Sequence, residues 1–163
     1  MVIVGAGVAP ATDFLKDTFQ LEKDGSILVD NNLKVKQFDN IYAGGDIARY
    51  EYEFHDHEDT VRIEHWDVAQ QHGRIAAKNM AGKKIDRVQV PFFWTSQQGK
   101  NFRYVGHAPD FDEVIHEGVT EGDDFAFVAY FVSECPKFFK SGQSGLTHAR
   151  FWQRERRFSL SLP

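Results

Sequence analysis

Apolar and polar residues alternate in short blocks along the first forty-six positions. Met1–Val4 is an apolar run that leads into Gly5-Ala6-Gly7, and Pro10 could open a helix over Ala11–Lys16 because its fixed φ suits a first turn. Ile27-Leu28-Val29 follows the turn pair Asp24-Gly25 and is β-prone, and Ile41-Tyr42-Ala43 is a second short apolar strand that ends in Gly44-Gly45-Asp46. Arg49–Arg62 is crowded with charge and reads as a solvated loop. A helical pattern then runs from His65 to Met80, with Ala69, Gly73, Ala77 and Met80 on one face and Gly82 as the stop.

After Pro91 the pattern changes to β. Asn101–Ala108, Phe111–Gly118 and Asp124–Val132 are aromatic-rich stretches separated by glycine turns, and three neighbouring strands predict an antiparallel meander. A domain boundary is expected near Lys84–Gln89. Ser133–Pro163 is basic, with Lys137, Lys140, Arg150, Arg154, Arg156 and Arg157, and its apolar residues keep no period. An unstructured tail is expected there.

Composition narrows the function. The 163 residues suit one ordinary domain or two small ones, and the fifteen Phe and three Trp indicate a packed body. A net charge of -5 argues against a general polyanion binder, so no nucleic-acid partner is expected. The lone Cys135 excludes an internal disulfide and fits a reducing compartment. No apolar run could span a bilayer, and no secretory leader is visible at the start. A chain opening directly on a strand suggests a fragment or an unusual isoform.

The opening glycine turn resembles a dinucleotide fingerprint, but Pro10 stands where a third glycine belongs and has no N–H for an anion. Asp30, the acidic residue nearest to where a ribose partner would stand, runs into the turn-like pair Asn31-Asn32. The turn could equally end a strand, or lie near a cofactor held by other segments. Asp46 at a strand's C-terminal edge could accept a hydrogen bond from a sugar or polyol hydroxyl, or could simply cap the next segment. Glu64, His65 and Trp66 open the helix. The indole there could stack on a flat ligand and the helix amides could serve an electron-rich atom, or the Trp could be core and the Glu-His pair surface. Trp94 offers a second aromatic plane. His55, Asp56, His57, Glu58 and Asp59 permit a metal reading, below that of a solvated loop, and Cys135 has no evident base beside it.

Taken in order, VIVGAGVAPATDFL, DGSILVDNNLKV, NIYAGGDIA, EHWDVAQQHGRIAAKNMAG, VPFFWT and FRYVGHA resemble the C-terminal half of the FAD- and NAD(H)-dependent flavoprotein reductases. That group includes the ferredoxin and rubredoxin reductases and the apoptosis-inducing factors, and the likeness covers Val2 to Val132. The resemblance implies an α/β plus α+β fold. Residues 1–25 would end an NAD-binding domain, 26–83 would be the C-terminal part of a Rossmann-like FAD domain, 84–132 a small antiparallel-sheet domain, and 133–163 a divergent tail. It implies FAD and NAD(P)H as cofactors, with Gly7 and Glu64 near the nicotinamide, Asp46 on the ribityl chain, His65 and Trp66 beside the isoalloxazine, and Trp94 next to the flavin. It implies a protein or small-molecule electron acceptor, a homodimer as one assembly, links to apoptosis, and a mitochondrial or cytoplasmic rather than secreted location. Both phosphate-binding glycine loops of that group are absent from this chain, so the chain alone is expected to hold FAD poorly. The rival expectation is a non-catalytic interaction module formed by the β domain.

Overall fold

The computed structural model describes residues 1–52, 60–87, 90–109, 111–120 and 126–132, together with the backbone of 150–152. The chain divides into two compact units, Met1–Gln89 and Val90–Pro163. The His55–Asp59 cluster and Cys135 lie outside the described residues.

The first unit holds a three-stranded sheet. β1 (Ile27–Leu28) runs parallel to β2 (Ala48–Glu51), and β2 pairs antiparallel with β3 (Thr60–Val61). The charged stretch expected to be a loop thus contains a strand pair. Tyr50 and Tyr52 explain why: they are 1% and 4% exposed, so two aromatics hidden among charges anchor the segment. Between β1 and β2 the chain makes a tight turn. The Asp30 carboxylate accepts from the amides of Asn32 and Lys34 at 2.8 and 2.9 Å, and Leu33 takes a φ of 63°. A left-handed residue with a side chain costs about 1–2 kcal/mol. Complete burial of Leu33 returns about 1.5–3 kcal/mol, so burial wins. The strand expected at Ile41–Ala43 is reduced to a single bridge, Lys34 to Tyr42. Leu33 joins Ile27, Val29, Val35, Ala48, Tyr50, Val61, Ile63 and Val68 in one core.

Two further expectations fail here. Met1–Val4 forms no strand, and its side chains are 81–110% exposed. A strand needs a hydrogen-bonding neighbour, and no described segment pairs with it. Ala11–Lys16 forms only a 3-10 turn at Asp13–Leu15, where Thr12 turns its hydroxyl onto the Gly25 carbonyl at 2.6 Å.

Helix α1 spans Trp66–Met80 and ends where Gly82 takes a φ of 80° and its amide bonds the Asn79 carbonyl at 2.9 Å. Its buried face is not the expected one. Val68, His72 and Asn79 are buried, whereas Gly73, Ala77 and Met80 are exposed. Two polar side chains can line the inner face because each meets buried backbone groups. Asn79 donates to the carbonyls of Asn32 and Ile85 and accepts from the Ile85 amide.

The second unit is a five-stranded antiparallel sheet of β4 (Phe92–Gln97), β5 (Lys100–Val105), β6 (Glu113–Val119), β7 (Ala126–Val132) and β8 (Arg150–Trp152), in the order β4-β5-β8-β7-β6. Gln98 and Gly99, both at positive φ, close the β4–β5 hairpin as a two-residue turn. The expected meander is corrected: β5 and β6 are not neighbours, because β8 lies between β5 and β7. Residues 150–152 of the supposed unstructured tail therefore supply a strand bonded on both sides. Two hairpins would otherwise leave two open edges facing each other, and the short strand satisfies both. The rest of the tail lies outside the described residues.

Candidate functional site

The β1–β2 arrangement delivers Gly44-Gly45-Asp46 to the side of α1. Gly45–Ile47 forms a 3-10 turn, with Gly45 at a φ of 74°. The approach is close: a Cβ on Gly44 would stand 2.9 Å from the His72 Cβ, and one on Gly45 would stand 3.5 Å from the Ala69 Cβ. The Gly45 amide donates to Nδ1 of His72 at 3.1 Å. The Asp46 side chain is exposed.

Arg62 ties this turn to the start of α1. It is only 15% exposed, donates to the Asp46 carbonyl at 3.0 Å, and pairs with the Glu64 carboxylate. Its Nε reaches Asp24 at 3.1 Å, and Asp24 also takes Arg49 at 2.7 Å and the Ser26 hydroxyl. Burial pushes the Asp24 carboxyl up, but these hydrogen bonds together outweigh it and hold the group well below the usual carboxylate range. Arg62, His72 and Asp24 escaped the sequence reading. Arg62 sits two residues before Glu64, but nothing in its spacing reveals a partner thirty-eight residues away.

His65 is the N-cap of α1 and Trp66 its first residue. Burial pushes the His65 imidazole down, and the Asp46 carboxylate pulls it the other way without prevailing. A neutral ring also suits a helix N-terminus, whose partial positive charge disfavours a cation. The His65 side chain makes no cap hydrogen bond at the start of the helix, and the Asp67 carboxylate accepts from Gln71 at 3.0 Å. Trp66 is 73% exposed.

Four of the six expected site residues, Asp46, Glu64, His65 and Trp66, are therefore gathered around one corner of the first unit. Gly7 lies apart from that network. It is exposed, with a φ of 73°, and a Cβ there would meet nothing within 4 Å. Trp94 belongs to the second unit. It is 54% exposed on β4, opposite Arg103, and its ring stacks on Phe92 with centroids 5.7 Å apart.

The corner fits a flat ring with a hydroxylated chain. An exposed indole gives an apolar plane, the amides at the helix start give donors for an electron-rich ring atom, and an exposed carboxylate gives an acceptor for hydroxyls. Among the described residues no group of three His, Cys, Asp or Glu could hold a metal ion, and no helix is long and apolar enough to cross a membrane.

The sequence pattern of the pyridine nucleotide-disulphide oxidoreductases matches residues 1–73. The chain is 35% identical over 130 residues to apoptosis-inducing factor 3 of Homo sapiens, covering 79% of this chain and 21% of that protein. It is 33% identical over 107 residues to the ferredoxin–NAD(+) reductase component of the 3-phenylpropionate/cinnamic acid dioxygenase of Photorhabdus laumondii, covering 66% of this chain and 26% of the other. In fold it is similar to the reductase in the covalent putidaredoxin reductase–putidaredoxin complex, at a TM-score of 0.70 and 23% identity, over 90% of this chain and 31% of that one. The chain thus spans between a fifth and a third of these three proteins.

Proposed function

We propose that this chain, whose residues 1–73 match the pyridine nucleotide-disulphide oxidoreductases and which is 35% identical over 130 residues to apoptosis-inducing factor 3 of Homo sapiens, supplies the flavin-facing part of an FAD-dependent NAD(P)H oxidoreductase. The observation that carries this reading is the convergence of Asp46, Glu64, His65 and Trp66 at the N-terminus of α1. When bound, FAD supplies a ring that accepts a hydride from NAD(P)H and releases electrons onward.

The residues have distinct tasks in this reading. Asp46 accepts a hydrogen bond from the ribityl chain. Trp66 would offer its exposed plane to the ring, and His65, pushed toward its neutral form by burial, would stand beside it without adding a cation. The leading amides of α1 bind an electron-rich ring atom and favour negative charge there. Glu64, paired with Arg62, would lie toward the nicotinamide, and the open backbone of Gly7 would give that ring room. The acceptor is a ferredoxin-type protein, in line with the relatives' names, and the same reading carries a homodimer as one assembly and a mitochondrial or cytoplasmic location.

The chain lacks a phosphate-binding glycine loop, so its hold on FAD is weak. Gel filtration of the purified chain with FAD is expected to strip the flavin and leave no NADH oxidation. A yellow complex that survives and oxidises NADH would refute that point. At high FAD, quenching of flavin fluorescence is expected to report loose binding that Asp46→Ala and Trp66→Ala each weaken about three- to tenfold. Equal binding by all three proteins would sink the site assignment.

A second reading, an interaction module in the second unit, rests on the exposure of Phe93, Trp94, Ile115 and Val119 on its sheet. Light scattering of the chain with and without Trp94→Ser and Ile115→Ser separates the two. Self-association lost in those variants, with no flavin quenching in any form, favours the module.

A further inference from the structure

His72 stands apart from the residues just assigned, yet it holds the turn that carries one of them. Its Nδ1 accepts the Gly45 amide at 3.1 Å, so in the neutral ring the proton must sit on Nε2. The residue is 1% exposed, and Nε2 has no hydrogen-bond partner among the described residues. The imidazole meets the Tyr50 ring at 81°, with centroids 5.2 Å apart, and Tyr50 in turn has Arg87 over its ring. Gly44 lies against the His72 Cβ so tightly that no side chain fits between them.

We infer that His72 is a positioning residue: by holding the Gly45 amide it fixes where the Asp46 carboxylate stands relative to the N-terminus of α1. The inference rests on the reading of Asp46 and that helix terminus as flavin contacts. A neutral imidazole is required, because a protonated one would turn an N–H on Nδ1 toward the N–H of Gly45. The groups around it keep it neutral. β2 presents the uncharged Tyr50 phenol, the segment after α1 presents the Arg87 cation, and the 3-10 turn presents backbone, its Asp46 carboxylate acting on His65 instead. Burial pushes the His72 pKa down to about 4, and Arg87 pushes the same way.

The test uses the full chain labelled with 15N, with amide exchange and pH titration as readouts. In His72→Leu the Gly45 amide is expected to exchange about tenfold faster or more, because its acceptor is gone. The Val29 and Val35 amides, bonded to the Arg49 and Ile41 carbonyls, keep their protection. His72→Asn places a carboxamide oxygen near the Nδ1 position and restores the Gly45 rate. In the unmodified chain the Gly45 amide shift steps as pH falls through about 4, and His72→Asn abolishes that step. Retained Gly45 protection in His72→Leu overturns the inference. So does acceleration that is uniform across Gly45, Val29 and Val35, which marks a role in the fold alone. Should His72→Leu not fold, a flat Gly45 shift through pH 4 in the unmodified chain overturns it by itself. These readouts need no flavin. Failure here leaves the flavin reading standing, and failure of the fluorescence titration leaves the His72–Gly45 clamp standing.

Discussion

The guanidinium carbon of Arg87 lies 3.9 Å from the centre of the Tyr50 ring, and both residues are buried, at 2% and 1% exposure. One Arg87 nitrogen also donates to the Glu51 carbonyl at 2.6 Å. The segment after α1 is thereby fastened to β2.

This pair sets an alkaline limit on stability. Burial pushes the Tyr50 phenol up to about 12, and the Arg87 charge acts against that rise. The folded state therefore keeps its proton where the unfolded chain, near pH 10, gives its own up. Stability is full below pH 10 and falls as pH rises toward about 12. Urea midpoints measured across pH 9–12 should show the decline, and Tyr50→Phe should flatten it. Arg87→Met, which removes the cation–π contact and the bond to Glu51, should cost about 2–4 kcal/mol at pH 7 by urea unfolding.

Asp24 sets an acid limit. Its carboxyl is held below the ordinary range, so the stability it contributes is complete above about pH 4 and is lost as pH falls below that. Asp24→Asn should be less stable at neutral pH and should lose less on acidification. Thermal unfolding at pH 7 and pH 3 checks both. The expected side effect is a looser Arg62 and a less fixed Glu64, because Arg62 then has one carboxylate partner fewer.

Two glycines, Gly44 packed against α1 and Gly73 within it, should respond oppositely. Gly44→Ala places a methyl 2.9 Å from a carbon attached to the helix backbone, and should destabilise by about 1–3 kcal/mol while pushing the Asp46 turn off α1. Gly73→Ala meets nothing within 4 Å in mid-helix, and should stabilise by about 0.5–1 kcal/mol. Urea denaturation of the two variants beside the parent chain tests the contrast.

Asn79→Ala should be among the costlier helix substitutions. It leaves the carbonyls of Asn32 and Ile85 and the Ile85 amide without their partner in a largely buried place, at a cost of about 2–3 kcal/mol. Asn79→Asp, which keeps the acceptor and loses the donor, should fall between. Thermal midpoints of the three proteins give the order.

The start and end of α1 were legible from its composition and from Gly82, but its inner face was not. Small residues at Ala69, Gly73 and Ala77 suggest a close approach, yet only Ala69 faces the Gly45 turn. His72 and Asn79 are buried because turns distant in sequence bring them a backbone amide and carbonyls to bond. A pattern of apolar positions cannot register such partners. Tyr50 and Tyr52 were likewise hidden within a charged stretch, and β8 within a stretch that looked unstructured.

The sequence by itself determined which chemistry-bearing residues exist and their order: a glycine turn ahead of Asp46, then Glu64-His65-Trp66 opening a helix, then an aromatic β segment. Local rules of turns, caps and period suffice for that, because they act over a few residues. Only the tertiary structure decided that Arg62 and His72 lock the Asp46 turn to the head of α1, and that residues 150–152 pass between two hairpins. Those outcomes depend on hydrogen bonds closed across tens of residues, whose partners become neighbours only once each unit has folded: the core around Leu33 and Tyr50 in the first, the antiparallel sheet in the second.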